Sequence, residues 1–166
     1  MAKRINVKLS TKSIDNAISE LNAYKRQLPV WVDEICSRLA ALGATKVSLG
    51  YARAIYTGNK DVTVSVEPIQ NGYVVKAQGE SVLFIEFGAG VTHGYGHPAA
   101  REYGMGPGTY PSDKGHWNNP GGWWIPKENG GGHTFGNPPA AVMYRTANEL
   151  RDEVERIVRE VLRTGD

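Results

Sequence analysis

The sequence predicts an α+β fold: a small antiparallel β-sheet packed by N-terminal helices and a long C-terminal helix, with a long Gly/aromatic-rich loop inserted at residues 88–136. Three observations carry that reading. Apolar residues recur at helical spacing up to Tyr56 and again beyond Pro139, and a period-two stretch with an Asn-Gly turn lies between. The third is the distribution of glycine, with 14 of the 20 falling between Gly88 and Gly136. A chain of 166 residues that is 40% hydrophobic and 22% charged suits a single domain, 1–166, and excludes wholesale disorder.

Ile5, Val7 and Leu9 alternate with Asn6 and Lys8 as in a half-buried strand, after which Ser10 and Thr11 offer side-chain oxygens to cap a helix. Ile14, Ala17, Ile18, Leu21 and Tyr24 predict that helix, ending near Gln27. Pro29 suits the first turn of a second helix, in which Leu28, Val32, Ile35, Leu39 and Leu42 repeat by fours and threes as far as a break at Gly43. A third, shorter helix is expected from Ala44 to about Tyr56. Val62, Val64 and Val66, then Asn71-Gly72, then Tyr73, Val75 and Ala77 read as a β-hairpin, with Pro68 marking a strand end or an edge. The apolar run Ser81–Phe87 is expected as a third strand, with a short helical turn as the alternative.

Between Gly88 and Gly136 lie 14 Gly, 5 Pro, all four histidines and seven of the fifteen aromatics, with no sustained period. Structureless loops beyond about 15 residues are usually functional or disordered, and disordered linkers avoid aromatics. Tyr95, Tyr103, Tyr110, Trp117, Trp123, Trp124 and Phe135 are therefore candidate interface anchors, and the WWIP segment is a candidate short strand. Pro138 and Pro139 open the last helix, where Met143, Ala147, Leu150, Val154, Ile157 and Val161 form a 4-3-4-3-4 stripe.

Charge narrows the function classes. The net charge is +2, too small to argue for nucleic-acid or membrane binding, yet residues 1–60 carry +6 and residues 61–166 carry −4. Such polarity suits stacking of copies or of unlike rings, or simply two solvated faces. The chain has no apolar run near the ~20 residues of a membrane span, and Met1–Leu9 has no apolar signal core, so a cytosolic product and no membrane partner are expected. The lone Cys36 excludes an intramolecular disulfide and, with no histidine near it in sequence, reads as a small buried hydrophobe.

Candidate chemistry is sparse. His93, His97, His116 and His133 raise a zinc site, but paired ligands favour i, i+4 on a helix, and His93-Gly-Tyr-Gly-His97-Pro nearly excludes helix; no metal is expected. No P-loop is present, and the glycine-rich run lacks the strand-to-helix context of a dinucleotide site, so no cofactor is expected. Glu86 interrupts the apolar run IEF just before Gly88-Ala89-Gly90. With Glu102 or Asp113 it could form the carboxylate pair of a glycoside hydrolase; as a structural carboxylate it would accept N–H bonds from the following turn or pair with Arg101 or Arg145. The structural role is preferred, because carboxylates enter cores only when satisfied.

Taken together, FIEFGAG at 84–90, the Gly/Tyr/Trp-rich insert, GGWWIP at 121–126 and HTFGNPPAAVMYRTANEL at 133–150 resemble the tailed-bacteriophage family of head–tail joining, or tail-completion (minor tail, neck), proteins. The similarity also takes in SIDNAISEL, DVTVSV and NGYVVKAQGE, and so spans nearly the whole chain. Many relatives carry Thr where this chain has Ala89. The resemblance implies a non-enzymatic virion protein at the neck, made in the host cytoplasm. It also implies a homo-oligomeric ring, commonly a hexamer, meeting a connector or stopper, a tail terminator or the tail tube. From charge alone, the ring lumen or the basic N-terminal part would touch DNA non-specifically. A cell-wall or carbohydrate hydrolase using Glu86, and a DNA-binding accessory protein, are the alternative readings.

Overall fold

A computed structural model describes residues 8–93, 96–105 and 119–164. The fold is α+β. The described elements are α1 (Thr11–Arg53), β1 (Thr63–Ile69), β2 (Gly72–Gln78), α2 (Val82–Phe87), β3 (Trp123–Trp124), a 3-10 turn (Lys127–Asn129), β4 (His133–Thr134) and α3 (Val142–Thr164). β1 pairs with β2 and β3 with β4, both antiparallel, giving two separate two-stranded sheets rather than one sheet of three strands.

The N-terminal part is one helix of 43 residues, not three. Ser10 caps it as expected, its side chain accepting from the Ser13 N–H at 3.3 Å. The helix continues through Pro29, whose missing N–H falls on an exposed stretch where water can satisfy the orphaned carbonyl. It continues through Gly43 because that position answers a packing demand: a Cβ there would lie 2.9 Å from Leu150 Cδ1. Gly43 is thus a point of close approach to α3 and not a break. The expected strand Ile5–Leu9 falls mostly outside the described residues, and Leu9 itself is exposed and unpaired with any strand.

The hairpin forms, with Val64 opposite Ala77, Val66 opposite Val75 and Pro68 opposite Tyr73; Ile69 pairs with Gly72, so the two turn residues are Gln70 and Asn71 and not Asn71-Gly72. In a two-stranded sheet both strands are edges, so a proline inside β1 costs no ladder bond that the fold needs. One face of the hairpin presents Val64, Val75 and Ala77 to a core made by Val47, Tyr51, Ile85 and Val142.

Ser81–Phe87 is helical from Val82 onward, correcting the strand expectation. The cause is tertiary: the Asp61 carboxylate accepts from the Glu80 N–H (2.6 Å), the Ser81 N–H (2.9 Å) and the Ser81 hydroxyl, holding the chain in the turn that starts α2. These bonds, the Ser81 hydroxyl's first, hold the Asp61 carboxyl below its ordinary range.

α3 begins at Val142, three residues beyond Pro139, because Ala140 and Ala141 are still bonded to the Ile85 and Glu86 carbonyls at 2.8 and 3.0 Å. α3 runs along α1, joined by a second cluster in which Trp31, Ile157 and Val161 are buried with Ile35, Leu39 and Leu42 against them. Of the expected stripe, Met143, Leu150, Ile157 and Val161 face inward, joined by Val142 and Thr146, while Ala147 and Val154 are exposed. Cys36 is only partly buried. Among the described residues, no helix is long and apolar enough to cross a membrane.

Candidate functional site

Glu86 is the hinge of the insert. It lies on α2 and is 5% exposed, with both carboxylate oxygens engaged. Oε2 accepts from the Tyr51 hydroxyl (3.1 Å) and the Met143 N–H (3.0 Å); Oε1 accepts from the Tyr144 N–H (3.1 Å) and stands 3.3 Å from His97 Nε2. Met143 and Tyr144 lie in the first turn of α3, where N–H groups have no intrahelical partner, so a distant carboxylate supplies the helix cap. Burial, and then the Glu86 charge, push the Tyr51 phenol far above its ordinary value and keep it a donor. His97 Nδ1 accepts from the Ala99 N–H at 3.1 Å, so the proton of a neutral ring sits on Nε2 and is donated to Glu86. Glu86 is the structural carboxylate the sequence suggests. Its partners, however, are Tyr51, His97 and α3, while Arg145 lines a groove between α1 and α3.

Around this hinge the ring of His97 lies 4.4 Å from that of Phe87 and 5.5 Å from that of Tyr144, and Phe87 in turn meets Tyr103 at 5.7 Å. The start of the insert is thereby clamped on α2 and α3. Its return is clamped beside it: Ala89 and Asn137 exchange both backbone bonds at 3.0 Å, and the Asn137 amide donates to the Phe84 carbonyl at 2.8 Å. The backbones touch so closely that a Cβ on Gly136 would lie 1.9 Å from the Ala89 carbonyl oxygen, and Gly136 has a φ of 102°. The glycines of GAG and FGN are there for this contact.

From that clamp rises a small aromatic surface. Trp123 pairs with Thr134 and Trp124 with His133, and period-two alternation turns Trp123 and Thr134 inward and Trp124 and His133 outward. The Trp124 ring meets His133 edge-on at 5.1 Å, and His133 meets Phe135 edge-on at 5.1 Å. Trp124 is 73% and Phe135 57% exposed, so the ladder faces outward; Tyr103, 63% exposed, stands nearer the Glu86 hinge. Behind the ladder is a cavity of about 330 Å³ lined by Tyr56, Phe84, Trp123, Ile125 and Pro126, with Asn129 at its edge. Asn59 ties this end to the chain after α1, its N–H and side-chain amide donating to the Asn129 and Glu128 carbonyls.

Of the candidate anchors, the structure brings Trp124 and Phe135 together on one surface, turns Trp123 inward toward the cavity behind them, and sets Tyr103 apart. Tyr95, Tyr110 and Trp117, with His116 and Asp113, lie outside the described residues. A second cavity, of about 470 Å³, brings Glu102 and Tyr103 to the side of Glu86 and His97. Sequence reasoning missed Tyr51 and Asn137, and it singled out His97 only as a possible metal ligand and not as the partner of Glu86. Comparisons with protein families, curated proteins and solved structures find no match.

Proposed function

We propose that this chain is a non-enzymatic structural subunit of a tailed-phage neck, a ring-forming protein that completes the tail and joins it to the head. The observation that carries this reading is the division of labour within the insert. Glu86, at the root of the insert and the one buried carboxylate among the described residues, is consumed as a clasp, while Trp124, Phe135 and Tyr103 of the insert are left on the surface. Rigid, exposed Trp and Phe side chains cost little entropy to bury against a partner and dominate interface energetics. The polarity of the sequence, +6 in residues 1–60 against −4 beyond, favours stacking on unlike neighbours.

The hydrolase reading draws on the cavity beside Glu86 and Glu102. It is disfavoured because Glu86 already receives four hydrogen bonds there, from a helix N-terminus, a phenol and an imidazole. An acceptor so saturated has no free geometry in which to donate a proton to a leaving group.

The test combines Trp124→Ala and Phe135→Ala in the full chain. The double variant is expected to melt within about 2 °C of the parent, since both rings are exposed. It is expected to lose association with tail or connector components, read by light scattering and electron microscopy. Unimpaired assembly, or turnover of peptidoglycan by the parent protein, would remove the proposal.

A further inference from the structure

The groove between the C-terminal turns of α1 and the start of α3 combines two features that the fold itself does not use. It runs along residues 46–53 of α1 and 142–149 of α3, about 10 Å or two helical turns, and encloses about 550 Å³. Its floor is apolar and open: Leu49 is 49% and Ile55 72% exposed, and Pro138 and Pro139 form a rigid wall beside them. Its charge is cationic. Lys46, Arg53 and Arg145 line it with one carboxylate, Glu149, which Lys46 holds at 2.5 Å. Glu153, the next acid to act on Lys46, is bonded to Arg156. Arg53 and Arg145 remain, both exposed and with no ion pair among the described residues, whereas Arg38, Arg156 and Arg159 on the same two helices each hold a carboxylate.

We infer that this groove is a docking site for a short acidic segment of a partner protein, one that presents two carboxylates flanking an apolar side chain. The carboxylates meet the Arg53 and Arg145 guanidinium groups, whose planar forks bind carboxylate oxygens in pairs. The apolar side chain covers Leu49 and Ile55, removing from water a surface that the described residues leave exposed. Each feature excludes a rival. A phosphate backbone is met by polar, cation-rich surfaces and gains nothing from an exposed leucine and isoleucine. A purely apolar partner would strand two guanidinium groups at the contact. The prolines and the two packed helices hold the groove open before the partner arrives, so little entropy is lost in docking. The groove shares no residue with the aromatic ladder, and the inference goes beyond the ring-subunit reading without depending on it.

The experiment uses the full chain and a fluorescein-labelled synthetic peptide of Glu, Leu and Ala, amphipathic as a helix and about twelve residues long so that it spans the groove, with binding read by fluorescence anisotropy. The parent chain is expected to bind it and to ignore the same peptide with Lys for Glu. Reversing both arginines, Arg53→Glu with Arg145→Glu, is expected to weaken binding about thirtyfold, and Ile55→Ser about fivefold, with Tm unchanged within about 2 °C because all three side chains are exposed. Arg53→Gln with Arg145→Gln repeats the test should the reversed pair fail to fold. Absence of binding by the parent, unaltered binding by the arginine variants, or equal binding of the Lys peptide overturns the inference. Equal affinity for an all-Glu peptide reduces the groove to an unselective anion patch, and tighter binding of a DNA duplex of similar length assigns it to nucleic acid; either outcome overturns the inference too.

Discussion

Glu86 concentrates at one residue what holds the candidate site together. Its oxygens face two backbone N–H groups of α3, one each, so an amide in its place must point its NH2 at a donor. Glu86→Gln is therefore expected to cost about 3 kcal/mol, since a buried donor is left without an acceptor, and urea unfolding reads the loss. An unchanged midpoint would mean that the carboxylate is not the cap. Asp61 plays the same part at α2, and its stabilised anion makes a pH prediction. A carboxyl held below its ordinary 3.8 contributes stability that is complete above that value and fades as pH falls through the lower, folded value. Asp61→Asn is expected to flatten the acid limb below about pH 3.8 in a thermal-melt series, while leaving the alkaline side unaltered. That Glu86 is a satisfied structural acid is legible in the sequence, because a carboxylate in an apolar run demands partners. Which partners is not, since Tyr51, His97 and Met143 lie 35, 11 and 57 residues away.

At the scale of elements, the two glycines of α1 that face α3 separate packing from propensity. A Cβ on Gly43 meets the far end of Leu150, a flexible side chain that can give. A Cβ on Gly50 would lie 2.5 Å from Val142 Cγ1, a branched side chain with no such freedom at the capped start of α3. Gly43→Ala is expected to be near neutral, the gain of about 1 kcal/mol in helix propensity offsetting the shift of Leu150. Gly50→Ala is expected to destabilise by about 1–2 kcal/mol through overpacking, measured by chemical denaturation. Equal effects at the two sites would refute the distinction. The same logic explains the elements that sequence reading divides wrongly. Pro29 and Gly43 are local stop signals, and the continuous apolar seam of Trp31, Ile35, Leu39 and Leu42 against α3 outweighs them. The run Ser81–Phe87 is too short for its periodicity to decide, and Asp61 decides for helix.

Across the whole molecule, a packed body lies between two surfaces of unlike chemistry: the aromatic ladder of Trp124, His133 and Phe135, and the exposed apolar residues of the N-terminal half of α1. The body begins where α3 begins to cover α1, at Trp31. Removal of residues 1–25 is accordingly expected to leave a cooperatively folding protein, with Tm lowered by no more than about 5 °C by circular dichroism, because little of the buried core is lost. Loss of cooperativity would show that the first turns of α1 are part of the folding unit and not a projection from it.

The sequence by itself determined the α+β class, the hairpin, the cap at Ser10, the C-terminal helix, and the need for Glu86 to be satisfied. Each of these follows from patterns confined to one element: spacing, turn chemistry, or the cost of burying a charge. Only the tertiary structure decided that the N-terminal helices are one, that α2 is a helix, which donors hold Glu86, and which apolar side chains stay exposed. Those outcomes depend on what stands opposite a residue in space, and the opposing groups lie too far along the chain for any local pattern to record them.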